Sequence, residues 1–458
     1  VGATVGEYGV YVRRPISVLT RNRDFRYLFA AELVMFGGDW FVMIPLLTLL
    51  PRLTGTGLWG GLVLAADTGV IALLLPLAGT VADRIDRRKI MVTTNLASIV
   101  AVLALLLVRS SATAWVALAA IAALAVAKAF YSPAASAALP NVVDAEDLPA
   151  ANALAGSAWG TMLVVGASLG GVLSSLAGPY VCFGVAASCL VLAALLLWRV
   201  RRPLQAARDR SGGVQARPFA ALVEALRYIR RHPRVLSLVT VKSAVGLGNG
   251  VLTVFPVLAT AVFGIGSLGT GLFFAARGAG ALVGPLLMRP LLTRRSWLLP
   301  GLAVSMGVYG IAYLGVSVAP WFALALPLVV IAHLGAGGNW MMSNFALQAE
   351  VPDELRGRVF ATDMMIATLS VSASQLLVGV FIDHVNPRLL VAVCGAVTGG
   401  YAVAWRLVTR RVMRRETEQV TRGETERGMR GETERGMRGE TEPAPGRVAE
   451  TGARTLSS

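Results

Sequence analysis

The stretch "GTVADRIDRRK", Gly79 to Lys89, places six charged residues among its last seven. It is preceded by "LWGGLVLAADTGVIALLLPLA" (58–78) and followed by "IMVTTNLASIVAVLALLLV" (90–108). Each flank has the roughly 20 apolar residues needed to cross a hydrocarbon core about 30 Å thick. A knot of charge between two such runs reads as a short loop at a membrane surface.

Composition extends this reading to the whole chain. Of 458 residues, 55% are hydrophobic and 15% charged, and mean hydropathy is +0.65. Soluble domains carry about 25% charged residues, so this chain is too apolar for water. Apolar runs predict twelve spans: 25–50, 58–82, 89–109, 113–139, 149–177, 179–199, 235–262, 267–288, 296–317, 320–346, 359–383 and 387–409. The expected fold is an all-α membrane protein whose twelve transmembrane helices form two pseudo-symmetric six-helix bundles.

The net charge of +16 is a topology signal here. Arg84, Arg87, Arg88 and Lys89 follow span 2, and Arg199, Arg201, Arg202, Arg208, Arg210 and Arg217 follow span 6. Arg356 and Arg358 precede span 11, whereas the opposite loops offer only Arg52, Arg109 and Arg388 as clear cations. The positive-inside rule places both termini and the basic loops in the cytoplasm, in a multi-pass protein of the plasma membrane. The expected partners are the bilayer, a small-molecule substrate and protons, with no nucleic acid, and the chain is expected to act as a monomer. Residues 1–24 are polar and basic, without the apolar h-region of a cleavable signal peptide. Cys182, Cys189 and Cys394 all fall within spans and read as small core residues. No metal site, cofactor or catalytic constellation is expected.

The chain divides into a cytoplasmic segment 1–24, a bundle 25–199, a loop 200–234, a second bundle 235–409 and a tail 410–458. In the loop, Phe219, Leu222, Val223, Leu226 and Ile229 are spaced as the apolar face of an amphipathic helix lying at the cytoplasmic interface. The bundles resemble each other. "GGDWFVMIPLL" around Asp39 aligns with "LGNGVLTVFPVL" around Asn249, and "DAEDLPAANAL" after span 4 with "VPDELRGRVFA" after span 10. Same-orientation repeats of six spans mark a transporter built from two parallel halves. The tail repeats RGETERGM from Arg422, a composition that cannot bury a core and is expected to be dispensable.

Taken together, these residues resemble the major facilitator superfamily. In that family the loop between spans 2 and 3 runs Gly, an Asp four residues on, then Arg and Lys. Gly79, Asp83, Arg84, Arg87, Arg88 and Lys89 fit, while Asp86 stands where many members have Gly. The second-half counterpart, "GPLLMRPLLTRR", keeps Gly284 and Arg289 without the acid. "GDW" in span 1 and "VPDELRGRVFA" before span 11 narrow the resemblance to the branch of the enterobactin exporter and macrolide efflux pumps. It implies a cytoplasmic latch in which Asp83, with Arg84, Arg87 and Arg88, meets the start of span 11 near Arg356 and Arg358. The latch would form when the cytoplasmic side closes.

Ionisable residues inside spans are functional candidates because each is costly in lipid. They are Glu32, Asp39, Asp67, Lys128, Lys242, Arg277 and His333. A rise of about 1.5 Å per residue puts Glu32, Lys128, Lys242 and His333 near one depth. The resemblance makes their spans 1, 4, 7 and 10 the lining of a central cavity, with interhelical glue as the alternative. Glu32 and Lys128 are expected to form a breakable ion pair, with Asp39 as the other candidate proton carrier. Burial disfavours a charged carboxylate and a nearby cation favours it, so such a pair can take up and release a proton. No GxxxxGK[ST] segment is present to hold nucleotide. The expected activity is proton-coupled efflux of a bulky amphipathic molecule of drug, antibiotic or siderophore type, by alternating access. Trp40, Phe41, Phe130, Tyr131, Asn249, Trp340 and Met341 are expected to line its cavity. The competing readings are import of a small zwitterion or peptide, and a receptor without transport.

Overall fold

A computed structural model describes residues 15–205, 218–293 and 295–411. Among them are twelve helices long and apolar enough to cross a membrane: α1 (Arg23–Thr54), α2 (Leu58–Ala82), α3 (Arg87–Leu107), α4 (Ser111–Val142), α5 (Leu148–Ala177), α6 (Pro179–Arg199), α7 (Pro233–Val262), α8 (Gly266–Leu292), α9 (Trp297–Val318), α10 (Phe322–Glu350), α11 (Asp353–Phe381) and α12 (Pro387–Arg411). In lipid a helix satisfies its own backbone hydrogen bonds, which is why runs of this length adopt one state. A short helix, Pro15–Arg21, precedes α1, and another, Pro218–Arg231, lies before α7. The expectations for Arg208, Arg210, Arg217 and the RGETERGM tail fall outside the described residues, and so does the Asp83 side chain.

Local chemistry sets the helix ends. Asn22 caps α1 by accepting from the Phe25 N–H at 2.9 Å, and its amide donates to the Val142 carbonyl at 2.8 Å. Asp86 caps α3 by accepting from the Lys89 N–H at 3.0 Å, which explains an acid where the family often has glycine. Gly55 closes α1 at φ 74°, a left-handed conformation that L side chains resist. One boundary differs from expectation. Helix α11 begins at Asp353, so Arg356 and Arg358 lie in its first turns, not in a preceding loop. Asp353 and Glu354 there match the positive end of the helix dipole.

Residues up to Arg406 form one compact unit, and its packing repeats at an offset of six helices. Helix α1 packs on α5 and α6, α2 on α4, and α3 on α4 and α6. In the second half α7 packs on α11, α8 on α10, and α9 on α10. The halves then join through two equivalent seams, α2 with α11 and α5 with α8. Glycine makes these seams close: a β-carbon on Gly61 would lie 2.6 Å from the Gly379 Cα, and one on Gly171 would lie 3.0 Å from the Gly271 Cα.

The α2–α11 seam is confined to one end. Asp383 accepts from the Gly57 N–H at 2.7 Å and from the Thr56 hydroxyl. Thr68 donates to Gln375 at 2.9 Å, and Ser372 donates to the Ala65 carbonyl at 2.8 Å. Past Gly69 the helix opens: Leu73 is 65% exposed and Gly79 has open space around it. The helix Pro218–Arg231 buries Ala225 and Ile229, leaving Phe219 and Val223 exposed, and it packs against α7, α11 and the near end of α2. Its apolar face is thus covered partly by protein, not wholly by an interface. All three cysteines are free.

Candidate functional site

Each half carries its own lysine–aspartate cluster. In the first, Lys128 on α4 donates to Asp67 on α2 at 2.5 Å and sits 3.4 Å from Asp39 on α1. The three side chains are between 18% and 27% exposed. Two carboxylates share one ammonium, so the cluster can hold a proton without losing its ion pair. Behind it, Met35, Asp39, Asn95, Ser98, Lys128 and Tyr131 line a small cavity, about the size of one water molecule. The Asn95 amide and the Tyr131 hydroxyl are buried there without a protein partner.

The proposed Glu32–Lys128 pair does not form. Lys128 lies level with Asp39, seven residues or about 10 Å along α1 from Glu32. The depth estimate missed this because α1 and α4 extend past the predicted span ends, shifting the counted origin. Glu32 is half-buried and has no hydrogen-bond or ion-pair partner among the described residues, although Tyr131 lies within its electrostatic reach.

In the second half, Lys242 on α7 pairs with Asp363 on α11 and donates to Asn344 on α10 at 2.6 Å. Its ammonium also lies 5.0 Å from the centre of the Trp340 ring. Lys242 is 2% exposed and Asp363 1%, so this cluster is sealed. Asp363 was not among the sequence candidates. A span beginning at 359 left it near the surface, whereas the true start at Asp353 puts it about 15 Å along the helix. A lone acid in an otherwise apolar run was the signal that could have found it.

Other expected cavity residues are packed inside one half. His333 is 3% exposed, and its Nε2 lies 2.8 Å from the Tyr313 hydroxyl. Tyr309 donates to Asn249 at 3.4 Å, and Asn249 is 8% exposed. Tyr131 is buried in the first half as described. These positions match interhelical glue. Each of these side chains turns into its own bundle. Trp40, Phe41, Phe130, Trp340 and Met341 are half-buried; the Trp40 ring lies 5.3 Å from Phe274 on α8, across the two halves. Arg277 is half-buried, with its guanidinium 5.6 Å from the Trp159 ring on α5.

Arg87 and Arg88 bond within the first half and the loop that follows it, and Arg356 and Arg358 within the second half and the helix that precedes it. Arg87 donates to the Ala137 carbonyl at 2.6 Å, and Arg88 to the Val200 carbonyl at 2.7 Å. Arg356 pairs with Asp353, and Arg358 pairs with Glu224 at 2.5 Å. The seam between α2 and α11 therefore closes at one end, while the arginines at the other serve their own loops.

This two-half packing, with seams at α2–α11 and α5–α8, agrees with the sequence: residues 28–374 match the Major Facilitator Superfamily. The chain belongs to that family. Superfamily members are membrane transporters, and solved transporter structures share this chain's fold. A bacterial homologue of the human lysosomal transporter Spinster, inward-facing and unoccupied, is 15% identical with a TM-score of 0.64, over 88% of this chain and 95% of that one. A POT family transporter in complex with a thioalcohol-conjugated peptide is 12% identical with a TM-score of 0.68, covering 85% and 96%. The nucleoside transporter NupG is 13% identical with a TM-score of 0.64, covering 84% and 98%. No curated protein matches the chain in sequence.

Proposed function

We propose that this superfamily transporter couples efflux of a bulky amphipathic small molecule to protons, by alternating access between its two halves. The observation that carries the reading is the cluster of Asp39, Asp67 and Lys128: two partly exposed carboxylates around one ammonium within three spans. A charge inside a span is retained where it works, and here one carboxylate exceeds what Lys128 needs. Glu32, without a partner among the described residues and on the same helix as Asp39, supplies a further protonatable group along the path. The positive-inside rule puts the arginine-rich loops in the cytoplasm of the plasma membrane, so the closed α2–α11 seam is the outer one and the geometry is inward-open. In that state the Asp83 latch is expected to be released, in keeping with the bonds that Arg87 and Arg88 make at home. The efflux branch rests on "GDW" and "VPDELRGRVFA", and the chain is taken to work as a monomer without cofactor.

The test is reconstitution of the full chain in proteoliposomes under an imposed proton gradient, screened with antibiotics and siderophores. Export-direction uptake that dissipates the gradient, and loses its proton dependence in Asp67→Asn or Asp39→Asn, is the expected result. Accumulation down the proton gradient would instead establish the importer of small zwitterions. Counterflow without any proton dependence would overturn coupling by this cluster.

A further inference from the structure

Arg277 is an intramembrane cation whose described ring and electrostatic contacts are Trp159, Tyr309, Tyr313 and His333. The Lys128 and Lys242 ammonium groups each have carboxylate partners. Arg277 sits near the middle of α8, and among the described residues no carboxylate pairs with it. Its guanidinium lies 5.6 Å from the Trp159 ring, and Tyr309, Tyr313 and His333 are within its electrostatic reach. None of these carries a formal negative charge in its neutral form. An ionisable residue within a span is costly and marks a ligand path by default, and with no described carboxylate beside it the open side of Arg277 suits an anion that comes and goes.

Helix registers show where that anion would sit. Trp159 is seven residues before Gly166, about two turns and so on the same face of α5. That face meets α1, because a β-carbon on Gly166 would come within 2.9 Å of Trp40. On α8, Arg277 is three residues past Phe274, again on one face, and Phe274 is the residue that touches Trp40. Trp40 and Phe274 therefore form a contact across the halves. Trp159 and Arg277 lie beside it, displaced along both helices toward the end where α2 and α11 separate. The Trp159 side is open, at 45% exposure, and no guanidinium nitrogen of Arg277 is among the buried, unpaired atoms. The site is thus lined by one cation, a flat ring over it, and an aromatic roof.

We propose that Arg277 and Trp159 form the recognition site for an anionic substrate group, a carboxylate or sulfonate attached to a flat apolar body. A guanidinium presents two parallel N–H donors to such an oxyanion, which a lysine cannot match. The body would stack on Trp159 and lie under the half-buried Trp40, with Phe274 buried behind it. This inference deepens the transporter reading and rests on it for the word substrate. It also adds a division of labour: protons are handled by the acidic cluster of the first half, and substrate charge is read by an arginine of the second.

The experiment uses purified full-length protein in detergent and two fluorescent probes, dansylglycine and its uncharged amide, dansylglycinamide. Dansyl emission excited through tryptophan reports binding at equilibrium, with no gradient and no transport. The wild type is expected to bind the carboxylate at least about tenfold more tightly than the amide. In Arg277→Gln that preference should shrink to within about twofold, with the fold checked separately by an unchanged circular-dichroism spectrum and elution profile. Arg277→Lys, keeping charge without the fork, should retain a preference of about threefold. No saturable dansylglycine binding to the folded wild type overturns the proposal; so does equal affinity for both probes, or a preference that survives Arg277→Gln. Because binding is read without turnover, a failed flux assay in proteoliposomes counts against the transporter reading and leaves this result to stand by itself.

Discussion

The two lysine–aspartate clusters make an instructive contrast. Lys242 and Asp363 balance each other in a sealed interior at 2% and 1% exposure. Lys128 faces two aspartates at 18% to 27% exposure. The offset of 210 that aligns Asp39 with Asn249 also aligns Glu32 with Lys242. At equivalent positions of a repeated scaffold, α1 carries two acids, whereas α7 carries a lysine and an amide. A neutral, buried, hydrogen-bonded pair fixes the arrangement of α7, α10 and α11. A partly exposed cluster with a surplus carboxylate can change protonation without stranding its cation. The same packing occurs twice, and the proposed coupling role falls to the more open of the two clusters.

The largest effect should come from breaking the sealed pair. Lys242→Met or Asp363→Asn leaves an uncompensated buried charge or a mispaired ammonium, at a cost of about 3–5 kcal/mol. Expression and the thermal midpoint should both fall, and Lys242→Met combined with Asp363→Leu should recover much of the loss. Strictly additive losses in that double-mutant cycle would mean that the pair is not a unit.

Next in size is the open cluster, where the readout should be transport rather than stability. Asp67→Asn removes the 2.5 Å partner of Lys128, yet Asp39 remains to neutralise it. A stability change of about 1–3 kcal/mol is expected, with loss of proton-dependent flux. Asp39→Asn should cost less stability, because its contact is longer at 3.4 Å. If Asp67→Asn unfolds the protein as Lys242→Met does, the contrast between the halves disappears.

Glu32→Gln should be gentler still. With no partner to strand among the described residues, stability should stay within about 0.5 kcal/mol of wild type, while accumulation against a gradient falls and counterflow survives. Counterflow lost together with accumulation would give Glu32 a place in substrate binding instead of coupling.

The smallest effect on folding belongs to the seam. Asp383→Asn weakens the bonds to Thr56 and Gly57 at an exposed end, for less than about 1 kcal/mol of stability. It should nonetheless bias the halves toward opening there. In a cysteine-free background, cross-linking between positions 57 and 382 should slow. Unchanged cross-linking would show that the glycine contacts around Gly61 and Gly379 hold the seam unaided.

The sequence by itself determined that twelve helices would form, where most of them begin and end, and that the halves repeat. Length and hydropathy suffice for that, since a backbone in lipid has few alternatives to a helix. The charge knot and the motifs placed the chain in its family before any contact was known. Nearly all the intramembrane ionisable residues were legible as well, because each stands out against an apolar run. Only the tertiary structure decided which of them meet. Lys128 finds Asp67 and Asp39 instead of Glu32, since a depth counted from predicted span ends misplaces residues on helices that overrun those ends. Asp363 emerged as the partner of Lys242 because α11 starts six residues before the predicted span, and Arg277 proved to lie by the Trp159 ring with no acid paired to it among the described residues. Pairing depends on helix rotation and on which helices cross. Those are set by long-range packing at glycines such as Gly61 and Gly171, whose partners lie hundreds or scores of residues away.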